Sequence, residues 1–374
     1  MEGTNQLTGR VRSIDALRGF DMFFLIGFSA LVVSLCKAFP GSVSDWFRTQ
    51  TQHVEWNGLH IHDMIYPLFI FVTGLSFPFS YAKQVERGDS QKKIHLKLVK
   101  RLLLLIFMGW VFNGFFKLDF SDFRYASVLG RIGISWFCAA LLYIHCPAKT
   151  RAYIAGGILL GYWLLISHVP APDMPAGTDP LSLEGNFAGY IDRLIMPGHL
   201  WEKGIMEPSG TIENLPSIVT VLFGMFTGDF IRSRKDGLSG NKKTLILLAA
   251  AAVMLAVGLL ISLDCPINKK IWSSSFTLVN GAASIALFAL FYWIIDVKGH
   301  ARWSFFFQVI GMNAITIYMA QKIIGFGSIN NFFLGGLASK LGEPGGAILL
   351  AAGVIAVKWL FLYFLYKKKV FLKV

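Results

Sequence analysis

The sequence predicts an all-α, polytopic integral-membrane bundle of about ten transmembrane helices, forming one domain over residues 1–374. Three observations lead there. Only 15% of the residues are charged and 54% are apolar, whereas a soluble globular chain carries about 25% charged residues. Apolar runs recur from near residue 20 to near residue 366, each close to the roughly 20 residues that a helix needs to cross a bilayer. The 33 Phe and 10 Trp suit helices anchored by aromatic belts at both interfaces. Disorder, low-complexity structure and soluble enzyme folds are excluded on the same grounds.

The expected spans are 20–39, 61–82, 98–116, 126–145, 152–168, 213–231, 244–263, 272–296, 303–324 and 346–366. The first follows Arg10, Arg12 and Arg18 as a signal sequence would, but no small-x-small cleavage site follows, so it reads as a retained helix. Segment 40–60 separates it from the second span, and seven Lys and Arg from Lys83 to Arg101 lie around the start of the third. Lys149 and Arg151 separate the fourth and fifth, and the 44-residue stretch 169–212, rich in Pro, Gly and acidic groups, separates the fifth and sixth. Five basic residues from Arg232 to Lys243 follow the sixth, PINKK precedes the eighth, and Lys298 and Arg302 precede the ninth. A Gly-rich 335–346 leads to the tenth, which four lysines from Lys367 to Lys373 close.

With the N-terminus in the cytoplasm and sides alternating, cytoplasmic segments hold 23 Lys and Arg against nine outside, while Arg131, Lys322 and Lys358 fall inside spans. That asymmetry places both termini in the cytoplasm. The net charge of +13 is therefore a topology signal, and no nucleic-acid partner is expected. The sequence contains no Asn-x-Ser/Thr sequon, which favours a bacterial inner membrane. Its four cysteines show no metal spacing and no disulfide framework, although one bridge remains open.

Polar residues near or within spans mark candidate chemistry. Arg10, Arg12, Asp15 and Arg18 cluster at the first span, where Asp15 and Arg18 can pair on one helix face or the arginines can clamp a phosphate. In HVEWNGLHIHDMIYPLF, His53, Glu55, His60, His62 and Asp63 place five titratable groups in eleven positions. His53 lies outside the apolar run, where an imidazole can exchange a proton, and Asp63 opens a helix, whose N-terminus favours its charge. A zinc reading through His53, His60 and Asp63 also stands, although no familiar ligand spacing completes it. Arg124, Arg131, Asp192, Arg193 and His199 are further candidates. So are Asn268 to Ser275 and Gly311 to Asn313, the last read chiefly as helix packing plus an interhelical hydrogen bond.

RSIDALRG, HVEWNGLxxxDMIYPLFIF, LGRIGIS, GYIDRL with a following His-Leu, PINKKIWSSS and GMNAITIY occur in that order. Over residues 10–374 the chain thereby resembles the transmembrane heparan-α-glucosaminide N-acetyltransferases and their bacterial relatives, themselves similar to the wider transmembrane acyltransferases. The resemblance implies acetyl-CoA as a cytoplasmic co-substrate, a glucosamine-type amine as acceptor on the far side, and no metal. It implies that His53 is catalytic, that Asp63 is the acidic residue following it, and that Arg18, Arg124 and Arg131 are donor contacts; by charge and side, Arg10 and Arg12 would also meet the donor's phosphates. A helper position that is Asn in the lysosomal enzyme reads Ser29 here, and an Asp-Pro-Glu-Gly reads Glu207-Pro208-Ser209-Gly210. Trp56, Asp192 and Glu207 are the acceptor candidates, while His60 and His62, absent from the pattern, are expected to be dispensable.

Acetyl transfer needs a deprotonated amine and a stabilised oxyanion. His53 can act as general base, with Asn57 or Ser29 donating to the oxyanion; an acetyl-histidine intermediate is the rival route. A sugar or amino-sugar permease remains the alternative from another class, and the zinc reading would make the chain a hydrolase. The sequence leaves a homodimer open.

Overall fold

The computed structural model describes residues 11–233 and 237–372, and those residues are helical apart from connecting loops and three isolated β-bridges. Arg10 lies outside the described residues. In chain order the helices are α1 (Arg12–Phe23), α2 (Ser29–Ala38), α3 (Ser42–Gln50), α4 (Ile61–Glu86), α5 (Gln91–Asn113), α6 (Val128–His145), α7 (Ala148–His168) and α8 (Phe187–Ile195). There follow α9 (Asn214–Arg232), α10 (Gly240–Ile261), α11 (Ser274–Tyr292), α12 (Phe305–Gly311), α13 (Ala314–Ile323), α14 (Phe326–Lys340) and α15 (Gly342–Lys367).

Among the described residues, eight helical stretches are long and apolar enough to cross a membrane: Arg12–Ala38, Ile61–Glu86, Val128–His145, Ala148–His168, Asn214–Arg232, Gly240–Ile261, Ser274–Val297 and Gly342–Lys367. Each coincides with an expected span. The third expected span falls on α5, whose basic first half lowers its hydropathy and whose end is set by Gly114 in the left-handed region at φ 99°. The ninth is corrected: 303–324 is not one helix but α12 and α13, broken at Met312 and Asn313. Asn313 leaves the helical region at φ −127° and ψ 31°. Its amide donates to the Val370 carbonyl at 3.1 Å and accepts from Thr316 Oγ1 at 3.2 Å, the competition with the backbone that disfavours Asn inside helices. The Gly-rich segment before the tenth span is helical, shared between the end of the 15-residue α14 and the start of α15. Both long outer segments are also partly ordered, by α3 in 40–60 and by α8 in 169–212.

The chain divides into two compact units. The first comprises, of the described residues, 11–54, 60–69 and 290–372. Its first span is two half-helices, because α1 and α2 are joined by a wide π turn, Phe24–Phe28, in which Gly27 sits at φ 145°. The Ile26 carbonyl at this break accepts from Lys358 Nζ of α15 at 2.9 Å. That bond satisfies both a displaced backbone acceptor and a lysine buried in an apolar run. The N-terminus of α1 has no side-chain cap of its own. Asp296 supplies one, accepting from Arg12 N at 3.0 Å and Ser13 N at 3.1 Å. Helices α1 and α12 meet backbone to backbone: a Cβ on Gly19 would overlap the Phe307 carbonyl, and one on Gly311 would overlap the Asp15 carbonyl. Met22, Ile26, Val309, Ile310 and Ile317 pack around that contact.

The second unit comprises, of the described residues, 55–59, 70–233 and 237–289. Gly74 of α4 and Gly224 of α9 allow the same kind of approach, each facing a carbonyl of the other helix's segment, Val221 and Phe71 respectively. Asp229 ties α9 to α6 and α7 by accepting from Tyr143 Oη at 2.5 Å and Arg151 Nη2 at 3.2 Å. Ser90, Ser127, Asn186 and Ser239 cap the first turns of α5, α6, α8 and α10. The four cysteines are all free thiols.

Small residues at these crossings carry the association of apolar helices, since lipid gives no hydrophobic drive between them. Gly311→Ala is expected to lower the thermal unfolding midpoint in detergent, with an overpacking cost of about 1–3 kcal/mol. Gly327→Ala, where an added Cβ meets nothing within 4 Å, should leave the midpoint unchanged or raise it.

Candidate functional site

Asp63, in the first turn of α4 and only 2% exposed, organises the site in the first unit. One of its oxygens accepts from His53 Nδ1 at 2.7 Å, and the other accepts from the amides of Val54 and His60, each at 3.2 Å. The carboxylate can only accept, so His53 carries its proton on Nδ1 and presents Nε2 as the basic nitrogen. The His53 side chain is 56% exposed, a placement suited to an incoming group. His62 lies beside it, with ring centroids 4.5 Å apart. Ser29, opening α2 after the π turn, reaches His62 Nδ1 at 3.4 Å. His60 turns elsewhere, its Nδ1 meeting the Gln52 carbonyl at 3.0 Å. Among the described residues no three His, Cys, Asp or Glu side chains are grouped to hold a metal ion.

In the same unit, Arg18 pairs with Asp15 at 3.6 Å, the helix-face pair that their spacing allows. Arg12 contributes a backbone amide to the Asp296 cap. A residue that the sequence reading passed over is Asp21, buried in α1 with both carboxylate oxygens lacking a hydrogen bond among the described residues. Its signal was present in the sequence as an acid two residues into an apolar run.

The second unit holds the remaining candidates. Trp56 donates its indole N–H to the Leu181 carbonyl at 2.7 Å, and Asn57 Oδ1 accepts from Asn268 at 3.1 Å, which leaves the Asn57 amino group as the donating end. Asn268 in turn accepts from the amides of Lys270 and Ile271, so PINKKIWSSS is a folded turn ahead of α11. Arg124 forks onto Glu207, Nε to Oε2 at 2.8 Å and Nη2 to Oε1 at 2.5 Å, and its guanidinium lies 4.6 Å from the Trp201 ring centre. Glu207 also accepts from the amides of Trp201 and Ser209. Two residues expected to meet different substrates thus meet each other.

Asp192, fully buried, accepts from the amides of Glu207 at 3.1 Å and Thr211 at 2.9 Å. Burial pushes its carboxyl above the ordinary carboxylate range, against the pull of those two amides. Gly210 is required there, because a Cβ would overlap the Asp192 carboxylate. Arg193 faces the other way, forking onto Asp173 with both contacts at 2.8 Å, and this holds the Asp173 carboxyl below its usual range. Arg131 is 1% exposed, lies 4.9 Å from the Trp272 ring centre, and has three guanidinium nitrogens without a hydrogen bond among the described residues. Its charge acts on Glu213, a buried carboxyl at the start of α9 that the sequence reading did not single out.

No family model matches the chain. The heparan-alpha-glucosaminide N-acetyltransferases of Homo sapiens and Mus musculus are 26% and 27% identical to it over 425 and 423 residues, covering 98% of this chain. The chain is a distant homologue of these N-acetyltransferases. It spans 60% of the length of each of these curated relatives. The homology to the N-acetyltransferases agrees with the motif order read from the sequence and takes in both units.

In this N-acetyltransferase homologue the Arg124–Glu207 fork is set around a carboxylate with no exposure. Removing one partner of such a pair strands the other. Arg124→Ala and Glu207→Ala are each expected to lower stability by about 3 kcal/mol, while the double variant loses less than the sum of the two. Thermal midpoints measured as a double-mutant cycle check this.

Proposed function

We propose that the chain is an acetyl-CoA-dependent transmembrane N-acetyltransferase that moves acetyl from the cytoplasmic donor to the amine of a glucosamine-type sugar on the outer side. The observation that carries the reading is the His53–Asp63 pair, an exposed imidazole oriented by a buried carboxylate, in a chain distantly homologous to membrane N-acetyltransferases. His53 Nε2 takes the amine proton as the nitrogen attacks the thioester carbonyl, and Asp63 stabilises the imidazolium that forms. Asn57 is assigned as the donor to the oxyanion, and Ser29 as a helper residue beside His62. Trp56, Asp192 and Glu207 are assigned to the acceptor side.

Anion binding is assigned to Arg12, Arg18 and Arg131, with Arg10 and Arg124 as further members. Arg131 fits the role chemically, as a buried guanidinium without a hydrogen bond among the described residues, which a phosphate or another anion would satisfy. The basic stretch from Lys83 to Arg101 is partly occupied, since Lys93 and Lys97 both bind Asp89, at 2.6 Å and 2.5 Å, and hold its carboxyl down at about 2. Ten spans, both termini in the cytoplasm and a bacterial inner membrane complete the proposal; Lys and Arg asymmetry supports the sidedness.

His53→Ala should abolish acetyl transfer to glucosamine and leave acetyl-CoA binding largely intact; turnover near the parent rate would sink the assignment. Arg18→Ala and Arg131→Ala should each weaken acetyl-CoA binding by roughly tenfold or more, as expected for a charge-assisted contact, and unchanged affinity in both would place the anion site elsewhere. A parent protein that binds no acetyl-CoA would favour the permease. Single cysteines introduced at Ser90 and Gly177 should label from opposite sides of the membrane.

A further inference from the structure

The geometry of the first unit gives His53 a companion base. His53 and His62 lie with ring centroids 4.5 Å apart and planes tilted by 55°, and each is approached at Nδ1 by a different group, Asp63 Oδ1 at 2.7 Å and Ser29 Oγ at 3.4 Å. Ser29 Oγ also lies 3.5 Å from the Phe24 carbonyl oxygen. A carbonyl can only accept, so the serine proton goes to Phe24 and Oγ is left to accept from His62 Nδ1–H. The basic nitrogen of His62 is then Nε2, the same nitrogen that Asp63 leaves basic on His53.

Two bases match what N-acylation of an amine requires. An aliphatic amine reaches a neutral-pH site as its ammonium ion, which has no lone pair for attack. One proton must leave before the C–N bond forms, and a second must leave the nitrogen as it forms. We infer that His62 is the base for the first of these, deprotonating the incoming ammonium so that His53 acts on a neutral amine; this rests on the acetyl-transfer reading and extends it. The balance closes. His62 takes one proton from the ammonium and releases it to water. The amine nitrogen then bonds to the thioester carbonyl carbon, the C–S bond breaks, and the second proton passes through His53 to the departing thiolate. One ammonium and one acetyl thioester give one amide, one thiol and one proton. The two rings are too close to carry positive charge together at little cost, so release from His62 precedes uptake by His53, whose imidazolium alone has Asp63 as its partner.

The test compares an acceptor that is protonated at neutral pH with one that is not. Purified full-length protein is assayed with acetyl-CoA and either glucosamine or aniline, the latter already neutral under those conditions. His62→Ala should lower the glucosamine-to-aniline turnover ratio by about 100-fold, the scale of a lost general base, while His60→Ala keeps the parental ratio. A ratio unchanged in His62→Ala, whether both rates hold or both fall together, overturns the inference. Should aniline prove no substrate, glucosamine turnover is followed upward in pH. The His62→Ala deficit must close as the amine deprotonates by itself, and a constant deficit is the overturning result. If His62→Ala does not accumulate, Ser29→Ala must shift the same ratio in the same direction. Full turnover by His53→Ala would instead bring down the acetyl-transfer reading, so the two failures are separate.

Discussion

The arrangement around His53 depends on how the Asp63 carboxylate is satisfied. A charge with 2% exposure costs several kcal/mol to bury unless it is hydrogen-bonded. Here the partners are the His53 ring and the amides of Val54 and His60, with the open N–H groups at the start of α4 adding their field. The chain from 53 to 60 must therefore reverse around the carboxylate. That reversal brings an exposed imidazole to the end of a helix, sets its tautomer, and leaves His62, one residue before Asp63, facing it. The same helix start thus fixes both rings.

Away from the site, helix crossings and buried polar groups share a logic. Where Gly19 meets Phe307 and Gly224 meets Phe71, the missing Cβ lets backbones touch, which is where apolar helices gain contact in a lipid solvent. Polar side chains inside the bundle are used on backbone groups that a helix cannot satisfy for itself. Asp296 closes the N-terminus of α1, Lys358 takes the carbonyl released at the π turn, and Asn330 donates to Leu350 at 3.0 Å across the α14–α15 hairpin.

Eight spans were legible because each is a continuous apolar run, the strongest signal a membrane chain offers. The break at Asn313 was hidden inside such a run, since hydropathy does not register a side chain that competes for backbone hydrogen bonds. α14 lies between the ninth and tenth expected spans, where no continuous apolar run of spanning length announces a helix. The Asp15–Arg18 pair followed from helical spacing and is present. His53 and Asp63 both stand out within the motif, and the 2.7 Å contact between them is what the structure adds. Pairings distant in sequence, such as Arg124 with Glu207 or Asp296 with the start of α1, have no local period to announce them. His62 falls outside the family pattern, and spacing alone does not show that its ring faces His53.

The π turn at Phe24–Phe28 has a geometric consequence for Ser29. An α-helix advances about 100° per residue, and a π turn takes in one residue more than an α turn, so α2 starts out of phase with α1 and through a break at Gly27. The face that carries Arg18 and Asp21 is therefore not continued by the face that carries Ser29. A straight helix with the same residues would send the serine hydroxyl roughly a quarter-turn or more aside from His62. Rotational phase, more than residue identity, is what makes position 29 a neighbour of the histidines.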